Sequence, residues 1–238
     1  MSTGQAYNPH GAALLDYWRG NSTATLICYQ DGKRDDVPAA FWFRASFDPL
    51  EQLGLNLCRG TVLDVGAGTG IHAIELQRRD FEVTAIDIAA ECIEIMIARG
   101  VRNTTTTDLY AFEGGPYDTI ICLCNGLDKV GTLSDLPRFL RQMRSLLAQD
   151  GQLIVDSFDV RIGADAAVTG ELRRKTNSGR YFGEMDMIFE YNGVRGTEFT
   201  VLQVDRETLA LIAQQNGWRC EIVEQLGGHY LARLSPAT

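Results

Sequence analysis

The chain has 238 residues, 45% of them hydrophobic and 22% charged, with a formal net charge of −9. That length and apolar content can bury a full core, and one large domain carrying an insertion suits them better than two. The acidic balance speaks against a phosphate-rich partner, because nucleic-acid binders carry a basic footprint, and no apolar run approaches the roughly 20 residues of a membrane span.

Met1-Ser2-Thr3-Gly4 opens no signal peptide, so the expected compartment is the cytoplasm. Residues 12–19 read as a helix and residues 23–29 alternate as a strand. Asp31-Gly32 is a hairpin turn signal, with a return strand expected over residues 39–43. Aromatics are dense here: Tyr7, Tyr17, Trp18, Tyr29, Phe41, Trp42, Phe43 and Phe47. They suit either the small core of a lid or the walls of a substrate site. His10, in the same arm, has no partner that the sequence identifies.

The most informative stretch is Val62-Leu63-Asp64-Val65-Gly66-Ala67-Gly68-Thr69-Gly70, an apolar strand that runs into glycines and then a helical pattern. Glycine permits positive φ and close backbone approach, and a helix starting near Ile71 offers unpaired N–H groups. The loop suits a nucleotide-like ligand or an ordinary strand-to-helix turn. Its spacing is G-x-G-x-G, and Ile71 stands where a dinucleotide fingerprint would place its last glycine.

Glu82-Val83-Thr84-Ala85-Ile86-Asp87-Ile88 reads as the next strand, ending in an acid that can accept hydrogen bonds from both hydroxyls of a ribose. A β-branched segment, Asn103-Thr104-Thr105-Thr106-Thr107-Asp108-Leu109, follows. A buried fourth strand then runs to Cys122, Cys124, Asn125 and Gly126, with the two thiols on one face. A helix ends near Leu147, Gln149-Asp150-Gly151 is expected to turn, and the fifth strand covers residues 151–157.

Beyond it, residues 161–178 read as a polar loop, whose Arg173-Arg174-Lys175 run, with Arg180, is a solvated face. Segments 180–191 and 194–204 flank Asn192-Gly193, a two-residue hairpin signal. A helix over residues 206–215 has Asp205 as N-cap and Gly217 as stop, and strands over 219–225 and 229–234 close the chain. The six cysteines, Cys28, Cys58, Cys92, Cys122, Cys124 and Cys220, form no C-x-x-C pair, so no metal site is expected and reduced thiols fit the cytoplasm.

With Asp64 two residues ahead of Gly66, the loop reads D-x-G-x-G-x-G and resembles motif I of the class I S-adenosylmethionine-dependent methyltransferases. The segments ending at Asp87, Asp108 and Asn125 follow in that family's order over residues 60–160. The resemblance implies an α/β fold: a doubly wound, mostly parallel seven-stranded sheet of Rossmann-like type, its last strand antiparallel, with an antiparallel β insertion. The implied division is an N-terminal helix and hairpin cap over 1–59, a cofactor core over 60–160, a lid over 161–204, and the last helix and two strands over 205–238.

The resemblance also implies S-adenosyl-L-methionine as cofactor, with S-adenosyl-L-homocysteine as product. Gly66, Ala67, Gly68 and Gly70 would pass under its amino-acid part while Asp64 holds the ammonium. Asp87 and Ile88 would meet the ribose, and Asp108 and Leu109 the adenine. Cys124 and Asn125 would lie at the methyl group, and Arg44 is a candidate bidentate donor to the cofactor carboxylate or a surface ion pair. Direct in-line transfer needs alignment and exclusion of water more than a base.

The candidate catalytic residues are Asn125 to orient an acceptor, Asp128 to remove or stabilise a proton, and His229 near the same mouth; helix capping or a surface salt bridge is the alternative for Asp128, and a structural role for His229. His72 either approaches the cofactor or faces solvent. Asn125-Gly126-Leu127-Asp128 lacks the Asn/Asp-Pro-Pro-aromatic motif of amino-methylating DNA enzymes, and Cys124 has no preceding proline. The expected acceptor is therefore a small molecule, without nucleic acid or membrane, on a monomer or homodimer. A protein that binds the cofactor without turnover, or an NAD(P)-dependent oxidoreductase, are the alternative functions.

Overall fold

The computed structural model describes residues 4–237; the reading of Met1-Ser2-Thr3 lies outside them. Along the chain run α1 (Gly4–Trp18), β1 (Thr25–Gln30), β2 (Lys33–Pro38), α2 (Pro49–Leu57), β3 (Val62–Val65), α3 (Ile71–Arg78), β4 (Val83–Asp87), α4 (Ala90–Ala98), β5 (Asn103–Thr106) and β6 (Tyr117–Cys122). Then follow α5 (Leu136–Leu146), β7 (Leu147–Phe158), α6 (Ala166–Asn177), β8 (Glu184–Tyr191), β9 (Val194–Arg195), β10 (Phe199–Leu202), α7 (Arg206–Gln215), β11 (Trp218–Leu226) and β12 (His229–Pro236). The larger sheet has seven strands in the order β11-β12-β7-β6-β3-β4-β5, the doubly wound α/β arrangement. Among the described residues no helix is long and apolar enough to cross a membrane.

The chain forms two compact units. The first comprises the chain up to Phe47, then Arg59–Glu113 and Asp186–Phe199. In it β3, β4 and β5 are parallel, with Val65 opposite Ile86 and Asp87 opposite Thr106, which aligns the strand ends that carry the glycine loop and Asp87. All four residues of β3 are buried, as parallel central strands require. Ala13 and Leu14 of α1 share an apolar cluster with Leu26 of β1 and with Cys92 and Ile95 of α4, which fixes the N-terminal helix on the side of the core helix.

Two hairpins complete this unit. Asp31 (φ 48°) and Gly32 (φ 78°) join β1 to β2, and Asn192 (φ 48°) and Gly193 (φ 76°) join β8 to β9. Both pairs have the positive φ that a type I′ turn demands. The return strand is Lys33–Pro38, not residues 39–43, which form a 3-10 turn. Its Lys-Arg-Asp-Asp sequence is exposed and shows no apolar alternation, so main-chain pairing with β1 makes it a strand without a pattern to read. The strand expected over 194–204 is broken after Arg195 and resumes as β10 at Phe199; a Cβ on Gly196 would lie 2.7 Å from the Ala6 carbonyl oxygen, so the chain passes closely over α1 there.

The second unit comprises Asp48–Cys58, Gly114–Met185 and the chain from Thr200 onward. Its strands β6 and β7 are parallel, and β12 lies antiparallel between β7 and β11. Helix α5 buries Leu136, Phe139, Leu140, Met143 and Leu146, the i, i+3, i+4, i+7 stripe of a helix on a sheet. The turn expected at Gln149-Asp150-Gly151 is absorbed into β7 as an irregularity: register with β6 shifts between Tyr117 and Thr119, and Gly151 leaves room for the Tyr117 carbonyl.

The polar loop expected over 161–178 is instead mostly helix α6. Asp165 caps it by accepting from Val168 N at 2.8 Å, and Arg174 and Lys175 occupy its last turn, where cations complement the helix dipole. Helix α7 has the expected cap, Asp205 Oδ1 accepting from Thr208 N at 3.0 Å.

Candidate functional site

In the first unit the turn between β3 and α3 is built from three left-handed glycines, Gly66 (φ 67°), Gly68 (φ 57°) and Gly70 (φ 80°). The N–H groups of Gly66 and Ala67 both donate to Ile86 O, at 2.9 and 3.0 Å, tying the turn to the end of β4. Gly68 N donates to Asp87 Oδ2 at 2.9 Å, and Asp87 Oδ1 accepts from Ala89 N at 2.9 Å. The Asp87 carboxylate is thus held at a fixed angle by two main-chain donors, and a carboxylate oxygen can accept more than one hydrogen bond. A Cβ on Gly68 would meet nothing within 4 Å, so the loop presents bare main chain on that side. A fixed carboxylate acceptor beside an uncovered glycine backbone fits the ribose and amino-acid parts of S-adenosyl-L-methionine.

Asp64 is 2% exposed within β3. Asp108 accepts from Tyr110 N at 2.8 Å and caps a 3-10 turn that begins at Leu109, which sets its carboxylate just past β5. Ile88 follows β4 directly. Arg44 donates to Phe41 O at 3.1 Å and lies 4.4 Å over the Phe41 ring, a cation–π contact that holds the guanidinium near the aromatic run. His72 is buried and stacked on Phe47, with centroids 5.5 Å apart, which corrects the solvent-facing alternative.

Two residues of this region escaped the sequence reading. Thr69, inside the glycine loop, donates its hydroxyl to Trp42 O and so fastens the loop to the aromatic run. Arg99, at the end of α4, donates to Thr69 O at 2.6 Å and to Thr69 Oγ1 at 2.8 Å, and its guanidinium lies 5.4 Å from the Phe43 ring centre. Thr69 sits inside the motif and could have been flagged; Arg99 carries no local signal, because only the fold brings α4 to the loop. The arm histidine, His10, lies 4.9 Å from the Trp42 ring and 5.5 Å from Phe189, and burial alone pushes its imidazole down to about 4.

In the second unit β6 ends at Cys122, and Cys124 (φ 63°) and Asn125 (φ 60°) are both left-handed. The two thiols therefore do not share a strand face, a correction to the alternation expected for Cys122 and Cys124. Asp156, 8% exposed in β7, holds this strained turn: its oxygens accept from Asn125 N at 2.9 Å and Gly126 N at 2.8 Å. Lys129 Nζ stands 3.5 Å from Asp128 Oδ1.

Burial raises the Asp128 carboxyl above the ordinary carboxylate range against the pull of Lys129. Burial raises Asp156 likewise, against the two N–H groups that favour its charged form. Lys129 is pulled down by burial, but the charges of Asp128 and Asp156 outweigh it and hold the ammonium above its usual value. Asn125, Asp128, Lys129 and Asp156 are thus brought into one cluster; in the sequence Asp156 is simply a residue of the fifth strand. His229 is exposed, opposite Phe158 in the pairing of β12 with β7 and 5.0 Å from its ring. Among the described residues no group of three or more His, Cys, Asp or Glu could hold a metal.

A profile for the methyltransferase domain matches residues 39–223. A solved structure of an S-adenosylmethionine-dependent methyltransferase from Bacteroides fragilis, in complex with S-adenosyl-L-homocysteine, is 32% identical, covers 100% of this chain and 98% of that one, and gives a TM-score of 0.86. Over 113 residues the chain is 30% identical to a ubiquinone biosynthesis O-methyltransferase of Xanthomonas euvesicatoria pv. vesicatoria, 44% of this chain and 46% of that protein. Over 105 residues it is 31% identical to a glycine/sarcosine/dimethylglycine N-methyltransferase of Actinopolyspora halophila, 40% of this chain and 19% of that protein. The chain spans less than half the length of these two curated relatives.

Proposed function

The chain belongs to the S-adenosylmethionine-dependent methyltransferase family, and from that premise we propose that it transfers a methyl group to a small-molecule acceptor. The observation that carries the proposal is Asp87, whose carboxylate is pinned by Gly68 N and Ala89 N beside an open glycine turn. When bound, S-adenosyl-L-methionine supplies a methyl group on sulfur with a good leaving group already in place.

The chain's own residues then bind and orient. Asp87 and Ile88 meet the ribose, Asp108 and the Leu109 N–H the adenine, and Gly66, Ala67, Gly68 and Gly70 give the amino-acid part close backbone approach. Asp64 is assigned to the ammonium and Arg44 to the carboxylate. At the end of β6, Cys124 and Asn125 present main chain to the reacting end, Asn125 orients the acceptor, and Asp128 stabilises positive charge that builds on it. His229 receives no role. A small acceptor is supported by the net charge of −9, which disfavours phosphate-rich polymers, and by the names of the two curated relatives, an O- and an N-methyltransferase. The free thiols support a reducing, cytoplasmic compartment.

Calorimetric titration with S-adenosyl-L-homocysteine tests the cofactor assignment. Asp87→Ala should lose about 1–3 kcal/mol of binding, roughly 5- to 150-fold, because two ribose hydroxyls lose a charged acceptor. Unchanged affinity refutes the placement. Formation of S-adenosyl-L-homocysteine with a panel of phenols, amines and carboxylic acids tests turnover, and silence across the panel favours a protein that binds without transfer.

A further inference from the structure

His10 is a titratable group that the cofactor reading leaves unused. It lies in α1, three residues after Tyr7, so the two side chains share one helix face. Around it stand Trp42, edge-on at 4.9 Å, and Phe189, stacked at 5.5 Å; Tyr7 and Phe199 extend the frame, each within 5.7 Å of Phe189. All five rings are half-buried rather than sealed in the core. Burial is the sole influence on the imidazole, with no charged or hydrogen-bonding group of the described residues facing it. A polar ring with two nitrogens is costly to hold in an apolar frame unless a partner reaches it, and a half-buried ring can take one from water or from a ligand.

The frame is tied to the cofactor loop. Trp42, which touches His10, accepts the Thr69 hydroxyl through its carbonyl, and Thr69 lies between Gly68 and Gly70. One residue therefore separates His10 from the turn assigned to the cofactor.

We propose that His10 orients the methyl acceptor and takes its proton, and that Tyr7, Trp42, Phe189 and Phe199 seat an acceptor with an apolar ring bearing a hydroxyl or amine. The inference rests on the methyltransferase reading. A neutral imidazole accepts the acceptor's O–H or N–H, which aims the heteroatom lone pair at the methyl carbon. As the new O–C or N–C bond forms, the methyl–sulfur bond breaks and its electron pair stays on sulfur, leaving a thioether. A hydroxyl oxygen becomes strongly acidic as it shares its lone pair, and a ring-bound nitrogen about as acidic as the imidazole, so even a weakly basic imidazole can receive the proton. The imidazole remains neutral across the physiological range and is ready for each turnover.

The test compares wild type, His10→Phe and His10→Gln. Calorimetry gives S-adenosyl-L-homocysteine affinity, mass spectrometry follows its formation with substituted phenols and anilines, and NMR of ring-labelled histidine follows the His10 resonance. His10→Phe should keep affinity within about twofold and lose about 10²- to 10⁴-fold in transfer to the best acceptor. His10→Gln should fall between, since an amide accepts the hydrogen bond but not the proton. A His10→Phe variant that transfers at the wild-type rate overturns the proposal. If wild type turns over nothing, the resonance decides: phenol or aniline, with S-adenosyl-L-homocysteine present, must move it, and no movement overturns the proposal. Absence of both cofactor binding and turnover in wild type is a different result, failure of the methyltransferase reading itself.

Discussion

Two glycines two residues apart should fail in opposite ways when replaced by alanine. Both are left-handed, Gly68 at φ 57° and Gly70 at φ 80°, so each alanine carries a backbone penalty of about 1–2 kcal/mol. Lower chain entropy in the unfolded state returns about 0.4–1 kcal/mol of that. At Gly70 a Cβ would also lie 2.8 Å from Met96 Cγ and 3.0 Å from Val101 Cγ2, both in the packed core, which adds about 1–3 kcal/mol of overpacking. The expected net losses are roughly 1 kcal/mol for Gly68→Ala and about 2–4 kcal/mol for Gly70→Ala. At Gly68 the new methyl meets no protein atom within 4 Å, so its consequence falls on whatever approaches that main chain. Urea unfolding gives the first quantity and calorimetry with S-adenosyl-L-homocysteine the second. Gly68→Ala should stay folded and lose at least about tenfold in affinity, or 1.4 kcal/mol. Wild-type affinity in that variant would mean the cofactor does not pass over this turn, and the glycines would be only a strand-to-helix connection.

Asp156→Ala leaves two strained N–H groups without their buried acceptor, and should cost about 2–4 kcal/mol in urea unfolding while moving the Asn125 and Gly126 amide resonances most. Tyr230→Phe removes the hydroxyl that donates to Val204 O at 2.7 Å in a fully buried position, for an expected loss of about 1–2 kcal/mol by the same measurement. His10 has a folded value of about 4 against an ordinary 6.5, so the unfolded chain binds its proton more tightly. Its contribution is present above pH 6.5 and is lost as pH falls toward 4, by at most about 1.4 kcal/mol per pH unit. The wild-type thermal midpoint should therefore fall faster than that of His10→Phe over this window; parallel profiles would contradict the buried neutral imidazole.

The parallel core was legible because its strands are apolar runs that end in glycine or acid, as at Val62–Val65 and Val83–Asp87, and because two-residue turns with a glycine have few alternatives. What was not legible depended on partners far away in sequence. Strand Lys33–Pro38 has a charged, exposed sequence and exists through pairing with β1. Helix Ala166–Asn177 buries no residue completely, so no apolar stripe announced it. Arg99 reaches Thr69 only after α4 has packed, and His10 acquires its aromatic surroundings only when β8 brings Phe189 to α1.

Asp87 and Asp156 repeat one device, once in each unit. Each is a carboxylate near the end of a parallel strand, and each spends its two oxygens on two main-chain N–H groups of the turns beside it. A charge-assisted bond of this kind contributes about 1.5–3 kcal/mol, enough to offset the roughly 1–2 kcal/mol that each left-handed residue such as Cys124 or Asn125 costs. Sequence reasoning treats an acid after a strand as a ligand contact, because the motif places it there. The geometry gives it an earlier duty: the acid first fixes the turn, and only an oxygen whose direction is already fixed can accept from a ribose without losing entropy at the moment of binding. On this argument Asp87→Asn should harm binding twice, by removing charge and by loosening Gly68, whereas Asp156, which meets no ligand in this reading, should act on the acceptor end only through the shape of the Cys124-Asn125 turn.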